Sequence, residues 1–177
     1  NVGAHSYGLR LALDNNPETG ELRQALSAAK VATVRIKADD QYTLSVGDSS
    51  YGSAQQQSEY EEHQIILQPG DNIVGILSNE ITSNGPEGLL AEILVDGELI
   101  AWSDRTWDTH FARGALPEGW RTDPEFDISE WETPRLNTGR TLEQRPSAFT
   151  NAQWMWGRST VDGSWYFFRL VLNYNEE

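Results

Sequence analysis

The chain has no cysteine, so neither a disulfide nor a thiolate metal site is available to it. Its 177 residues need no such staple, because a chain of this length typically buries about 70% of its unfolded surface. The missing cysteines are compatible with the cytosol and equally with a secreted fold. No apolar run reaches the roughly 20 residues a membrane span requires, so membrane insertion is not expected. Basic residues are scarce, 13 against 27 acidic ones, for a formal charge of -14. That balance argues against nucleic acid, whose binding rests on cations displacing counterions from phosphate. It argues equally against an anionic membrane surface. There is no Asn-x-Ser/Thr acceptor site, and the three histidines are too scattered to form a zinc set. No charged-then-apolar leader pattern opens the chain, so a targeting peptide is expected to lie outside this sequence. Repeats, linkers and composition breaks are also missing, which predicts one domain over 1–177.

What is present is strand patterning and seven tryptophans, suggesting a heavy core or a stacking surface. "HSYGLRLALD" alternates Tyr7, Leu9, Leu11 and Leu13 against smaller or polar residues. "ELRQALSAA" spaces Leu22, Ala25, Leu26 and Ala29 as a short helix would. In "KVATVRIKA", Ala32, Val34, Ile36 and Ala38 share one face and Thr33, Arg35 and Lys37 the other. "QYTLSV" follows the Asp39-Asp40 corner with Tyr42, Leu44 and Val46 inward. The Gly/Ser/Gln-rich stretch from Gly47 to Glu62 predicts a long exposed loop. "HQIILQPGDNIVGILSNE" predicts two strands hinged at Pro69-Gly70-Asp71, and Asp96-Gly97 a two-residue hairpin turn. Ser103 to Pro146 shows no usable period. "AQWMWG" and "SWYFFRLVLNY" predict strands, the latter apolar on both faces and so central in its sheet. The fold class expected is all-β: an antiparallel sandwich with at most one short helix.

Several segments, in shared order, resemble a known family. "RIKADDQYTLSVGD" resembles the Ala-Asp-Asp-x-Tyr-x-Leu-x-Val-Asn-Gly segment of galactose-binding-like jelly-roll domains, the accessory domains of bacterial rhamnosidases and related secreted proteins. "LQPGDNIVGILSNE" is similar to that family's Gly-x-Asn-x-Ile-x-Val segment. "GPEGLLAEILVDGELIAWSDRTW" resembles its Gly-Leu-x-Ala strand, Asp-Gly turn and Thr-Asp-x-x-Trp ending. "PEGWRTDPEFDISEW", "AQWMWG" and "YFFR" continue the likeness, which runs from about Lys30 to Arg169. The chain departs from the pattern at Gly47-Asp48, where the family has Asn-Gly, and at Ile128, where it has a second Asp. The resemblance implies a two-sheet jelly roll whose end loops hold a sugar, commonly with a structural calcium ion, and it does not imply catalysis.

A pyranose offers an apolar face and a rim of hydroxyls, so its site needs an aromatic plate beside planar or charged hydrogen-bonding groups. "SDRTWDTH" supplies Asp104, Arg105, Trp107, Asp108 and His110 together. Two readings stay open there: Trp107 stacks on a guest, or it plugs the sandwich while Asp104 caps a turn. Tyr51 and Tyr60, in the polar stretch, form a second candidate contact surface. Trp120, Trp131, Trp154 and Trp156 are expected to pack, the last two on one face. For calcium, Asp14, Asn16 and Glu18 alternate as in the start of an oxygen-rich loop, with Asp39-Asp40 as a rival corner. Asp104, Asp108 and Glu118 could form an acid-base pair, but nothing distinguishes them among 27 carboxylates, and no nucleophile context accompanies a histidine. The expectation is a non-catalytic, lectin-like module, extracellular or on the cell surface, with a glycan as partner. The competing expectation is a structural or adhesion module that self-associates.

Overall fold

A computed structural model describes residues 29–38, 41–55, 59–79, 88–112, 118–136, 145–156 and 165–175. The expected first strand at "HSYGLRLALD", the short helix, Asp39-Asp40 and the Val161-Asp162-Gly163 turn lie outside them or nearly so.

The described residues form two antiparallel sheets packed face to face, a β-sandwich, with no helix among them. One sheet contains β1 (Lys30–Ala38), β4 (Glu61–Leu67), β6 (Leu89–Val95), β7 (Glu98–Trp102), β9 (Arg135–Leu136) and β10 (Met155–Trp156). Its order is β4-β1-β6-β10-β9, with β7 also paired to β6. The other has the order β3-β2-β5-β11-β8, from β2 (Gln41–Val46), β3 (Ser49–Gln55), β5 (Gly70–Asn79), β8 (Asp108–Ala112) and β11 (Trp165–Tyr174). We call these the first and second sheets.

Alternation builds the interior as the sequence predicts. Ala32, Val34, Ile36 and Ala38 of β1 face Tyr42, Leu44 and Val46 of β2 across a core that also holds Ile65, Leu67, Ile76 and Phe168. Asp96 and Gly97 both have positive φ, 51° and 86°, which identifies the primed turn that suits right-twisted strands. β11 lies between β5 and β8, and its first half is covered on both sides: Tyr166 and Phe168 inside, Phe167 and Arg169 outside.

Three expectations are corrected. The stretch from Gly47 to Glu62 is not one long loop, because Gly47-Asp48 turns directly into β3, paired with β2. An edge strand closes only one ladder and tolerates serine and glycine where a central strand would not. The stretch after Ser103 also contains a strand, β8, paired with β11. Its Asp, Thr and His residues hide the period that its register with Phe168 and Tyr166 reveals. Trp154 and Trp156 are both buried but go to different places. Trp156 lies 4.5 Å from the Tyr166 ring in the interior, whereas Trp154 packs outside with Leu90, Phe149 and Ala152. The regular strand covers only Met155 and Trp156, so a period of two does not reach back to Trp154.

Each sheet is covered on its outer side by an irregular segment, and each cover is fastened by a buried charge. On the second sheet, Ser45, Gly75, Arg169 and Asp108 form one row across the strands. Arg169, 2% exposed, donates from Nε to the Trp120 carbonyl at 3.0 Å and from Nη2 to the Asp123 and Pro124 carbonyls at 2.9 and 3.3 Å. Trp120 lies over Gly75, where a Cβ would come within 2.9 Å of the indole. On the first sheet, Glu92 is fully buried, and its Oε1 accepts from the backbone N–H groups of Thr150, Asn151 and Ala152 at 2.7, 2.7 and 3.0 Å. Arg35 adds a bond from Nη1 to the Ala148 carbonyl. A guanidinium that has only donors holds carbonyls, and a carboxylate that has only acceptors holds amides.

Candidate functional site

The sequence nominated the neighbourhood of Trp107, and the structure disperses it. Asp104 caps its own turn, accepting from the Thr106 N–H at 2.7 Å and the Thr106 hydroxyl at 2.6 Å. Trp107 is 1% exposed, packs in the main core and donates from Nε1 to the Trp102 carbonyl at 2.9 Å. Of its two roles it fills the packing one, because a guest cannot reach a ring enclosed by strands. Asp108 sits opposite Arg169 in the register, and burial pushes its carboxyl above the usual value while Arg169 opposes that rise. His110 stacks on Trp131 at 5.5 Å and 28°, within an aromatic layer that continues through Trp120 to Phe167. Arg105 alone of this group is exposed.

Tyr51 has a different fate. The β2–β3 register steps from Leu44↔Gly52 to Ser45↔Ser50, leaving Tyr51 as the extra residue of a β-bulge. A bulge bends its strand and re-aims the side chain. Here the phenol reaches across the open side of the sandwich, and its oxygen accepts from the Ile66 N–H of β4 at 3.3 Å. Beside it, Gly52 leaves the space that the His63 ring occupies, and His63 Nε2 and Glu61 Oε2 both meet the Tyr42 hydroxyl, at 2.5 and 2.7 Å. Side chains rather than a ladder thus join the edges of the two sheets.

Tyr51 lines a cleft of about 490 Å³ at this end of the sandwich, within the size range of small-molecule sites. Three stretches distant in sequence form it: Val46 to Tyr51, Ile66 to Ile73, and Arg121 to Pro124. The rim between β4 and β5 is stiff because Asn72 spends its amide there. Its Nδ2 donates to the Gln68 and Gly70 carbonyls at 2.7 and 3.0 Å, and its Oδ1 accepts from the Gln68 N–H at 2.8 Å. Gly70 takes the turn with φ of 90°, a conformation that favours glycine. On another side, Asp71 Oδ1 accepts from Asn173 at 2.7 Å. The far wall belongs to the cover that Arg169 fastens, and Asp123 N–H donates to Gly119 O at 2.8 Å within it.

Gln68, Asp71, Arg121 and Thr122 were not expected from sequence to line a site, Asp71 being read only as part of a hinge. Each is an ordinary polar residue in its own segment, and only the third dimension assembles them. Asp14, Asn16 and Glu18, the expected calcium ligands, lie outside the described residues. Among the described residues no group of three or more His, Asp or Glu is placed to hold a metal ion. Nor is any helix among them long and apolar enough to cross a membrane. Comparisons with protein families, curated proteins and solved structures find no match to this chain.

Proposed function

We propose that the protein is a non-catalytic carbohydrate-binding module that holds a glycan in the cleft at the Tyr51 end of the sandwich. The observation carrying this reading is the bulge that delivers one tyrosine to a stiff-walled cleft among Gln68, Asp71, Arg121 and Thr122. Tyrosine gives a flat apolar face and one hydroxyl at small entropic cost, which is what a pyranose ring with its hydroxyl rim requires. Hydrolysis of a glycosidic bond ordinarily uses two opposed carboxyl groups, and Asp71 is the one carboxylate among the described lining residues. A secreted or surface-exposed location and a structural calcium ion belong to the same proposal, on the strength of the family resemblance. A glycan array followed by titration calorimetry, with and without calcium, tests it. Expected is a bound sugar whose affinity drops about fivefold or more in Tyr51→Ala, since an aromatic contact contributes on the order of 1 kcal/mol. Absence of any bound sugar under both conditions sinks it.

A second reading, an assembly or adhesion module, draws on Val31 and Ile66. They are cross-strand neighbours on the outer side of the first sheet, 54% and 40% exposed. It requires self-association through that pair, and a concentration-independent monomer by light scattering removes it.

A further inference from the structure

Building on the carbohydrate reading, we infer that the cleft selects a sugar bearing an anionic substituent, a carboxylate or a sulfate ester, which pairs with Arg121. Asn72 has committed both amide protons and its oxygen to the β4–β5 turn, so it has little to offer a guest. Asp71 has one carboxylate oxygen engaged by Asn173. The Tyr51 oxygen already accepts from Ile66 N–H, which leaves its own proton to donate outward. Arg121 contributes a guanidinium, which has only donors, and it is the one cationic residue among the described residues lining the cleft. Arg121 and Tyr51 thus offer donors to an acidic substituent, while the second Asp71 oxygen remains to accept from a hydroxyl elsewhere on the same sugar.

Arg121 is exposed, yet its backbone is flanked by fixed points, because Trp120 and Asp123 both give their carbonyls to buried Arg169. The side chain thus projects from an anchored stretch rather than from a loose loop. In a chain of net charge -14, general attraction cannot draw an anion in, so selection must come from short-range contact. The planar guanidinium provides that by two parallel N–H···O bonds to a carboxylate or sulfate, a geometry that a point charge lacks.

The test uses matched ligands on the full chain in titration calorimetry: trigalacturonate against its fully methyl-esterified form, and a sulfated galactan oligosaccharide against its desulfated form. The two pairs separate a carboxylate guest from a sulfate guest. Expected is about tenfold or greater preference for the anionic member of at least one pair, as for a charge-assisted bidentate contact. Arg121→Gln abolishes that preference, weakening the anionic member of the pair more than the neutral one, and Arg121→Lys restores the preference only in part. Neutral members binding as tightly as anionic ones, or a preference that survives in Arg121→Gln, overturns the inference and leaves the carbohydrate reading standing. Failure of all four ligands together with a blank glycan array removes both.

Discussion

Arg169 and Glu92 occupy corresponding stations on opposite outer sides of the sandwich, each buried, and each tying an irregular segment down through that segment's backbone. Neither forms an ion pair with a described partner within 4.0 Å; their partners are main-chain dipoles of the complementary sense. The cost of enclosing each group is opposed by several bonds converging on the Arg169 guanidinium and on Glu92 Oε1, whereas Glu92 Oε2 has no hydrogen-bond partner among the described residues.

Arg169→Met keeps the volume and removes every donor. The carbonyls of Trp120, Asp123 and Pro124 then lose their partner. Urea unfolding should show a loss of about 3 kcal/mol, the scale of a few bonds to a charged group. Because the same segment carries Arg121, affinity for the proposed glycan should fall with it. Unchanged stability would show that the cover is held by other means.

Gly75→Ala probes the same cover from beneath. The added methyl meets the Trp120 indole at 2.9 Å and the Ser45 hydroxyl at 3.0 Å, so the ring must lift. Overpacking of this kind typically costs about 1–3 kcal/mol. Thermal unfolding together with a red shift in tryptophan emission checks it; a variant as stable as the parent, with unshifted emission, contradicts the placement of Trp120.

Asp108 bears on pH. Its carboxyl is raised above 3.8, chiefly by burial, with Arg169 pulling the other way. Between 3.8 and that raised value the folded state binds more protons than the unfolded chain, so stability contributed by this group falls as pH rises through the window. Below the window the carboxyl is protonated in both states and carries no such penalty. Asp108→Asn should therefore stabilise the fold near neutral pH, with the advantage vanishing below 3.8. Denaturant titrations of both proteins across pH 3 to 8 test the sign, and an advantage that grows toward acid refutes it.

Legibility followed burial. β1 announces itself because Ala32, Val34, Ile36 and Ala38 are all interior while Thr33, Arg35 and Lys37 are not. β11 was identifiable as central because its first half is apolar on both sides, the inner one in the core and the outer one beneath a cover. β3 was missed because an edge strand needs little apolar alternation. β8 was missed because its outward residues, Asp108 and His110, are polar and lie beside a guanidinium and an indole that come from elsewhere in the chain. Trp107 illustrates the ambiguity of tryptophan: the polar residues around it suggested a binding surface, yet they are a turn cap and a strand rim. Of the cleft, only Tyr51 was visible beforehand, as an aromatic among glycine and serine. Gln68, Asp71 and Arg121 carry no local signature, since their meeting depends on turns and a cover. Glu92 had a signal that went unused, a carboxylate in the middle of "LLAEILV", where a strand apolar on both faces must find that group a partner.

Fastening the wall of the cleft by carbonyls rather than by side chains has a practical corollary. Arg169 takes hold of the main chain at 120, 123 and 124 and is indifferent to which residues stand between. The stretch can therefore be rewritten at 121 and 122 while its path is retained, much as an antibody loop is diversified on a constant framework. A small library at those two positions would vary the proposed contact surface on an unaltered scaffold.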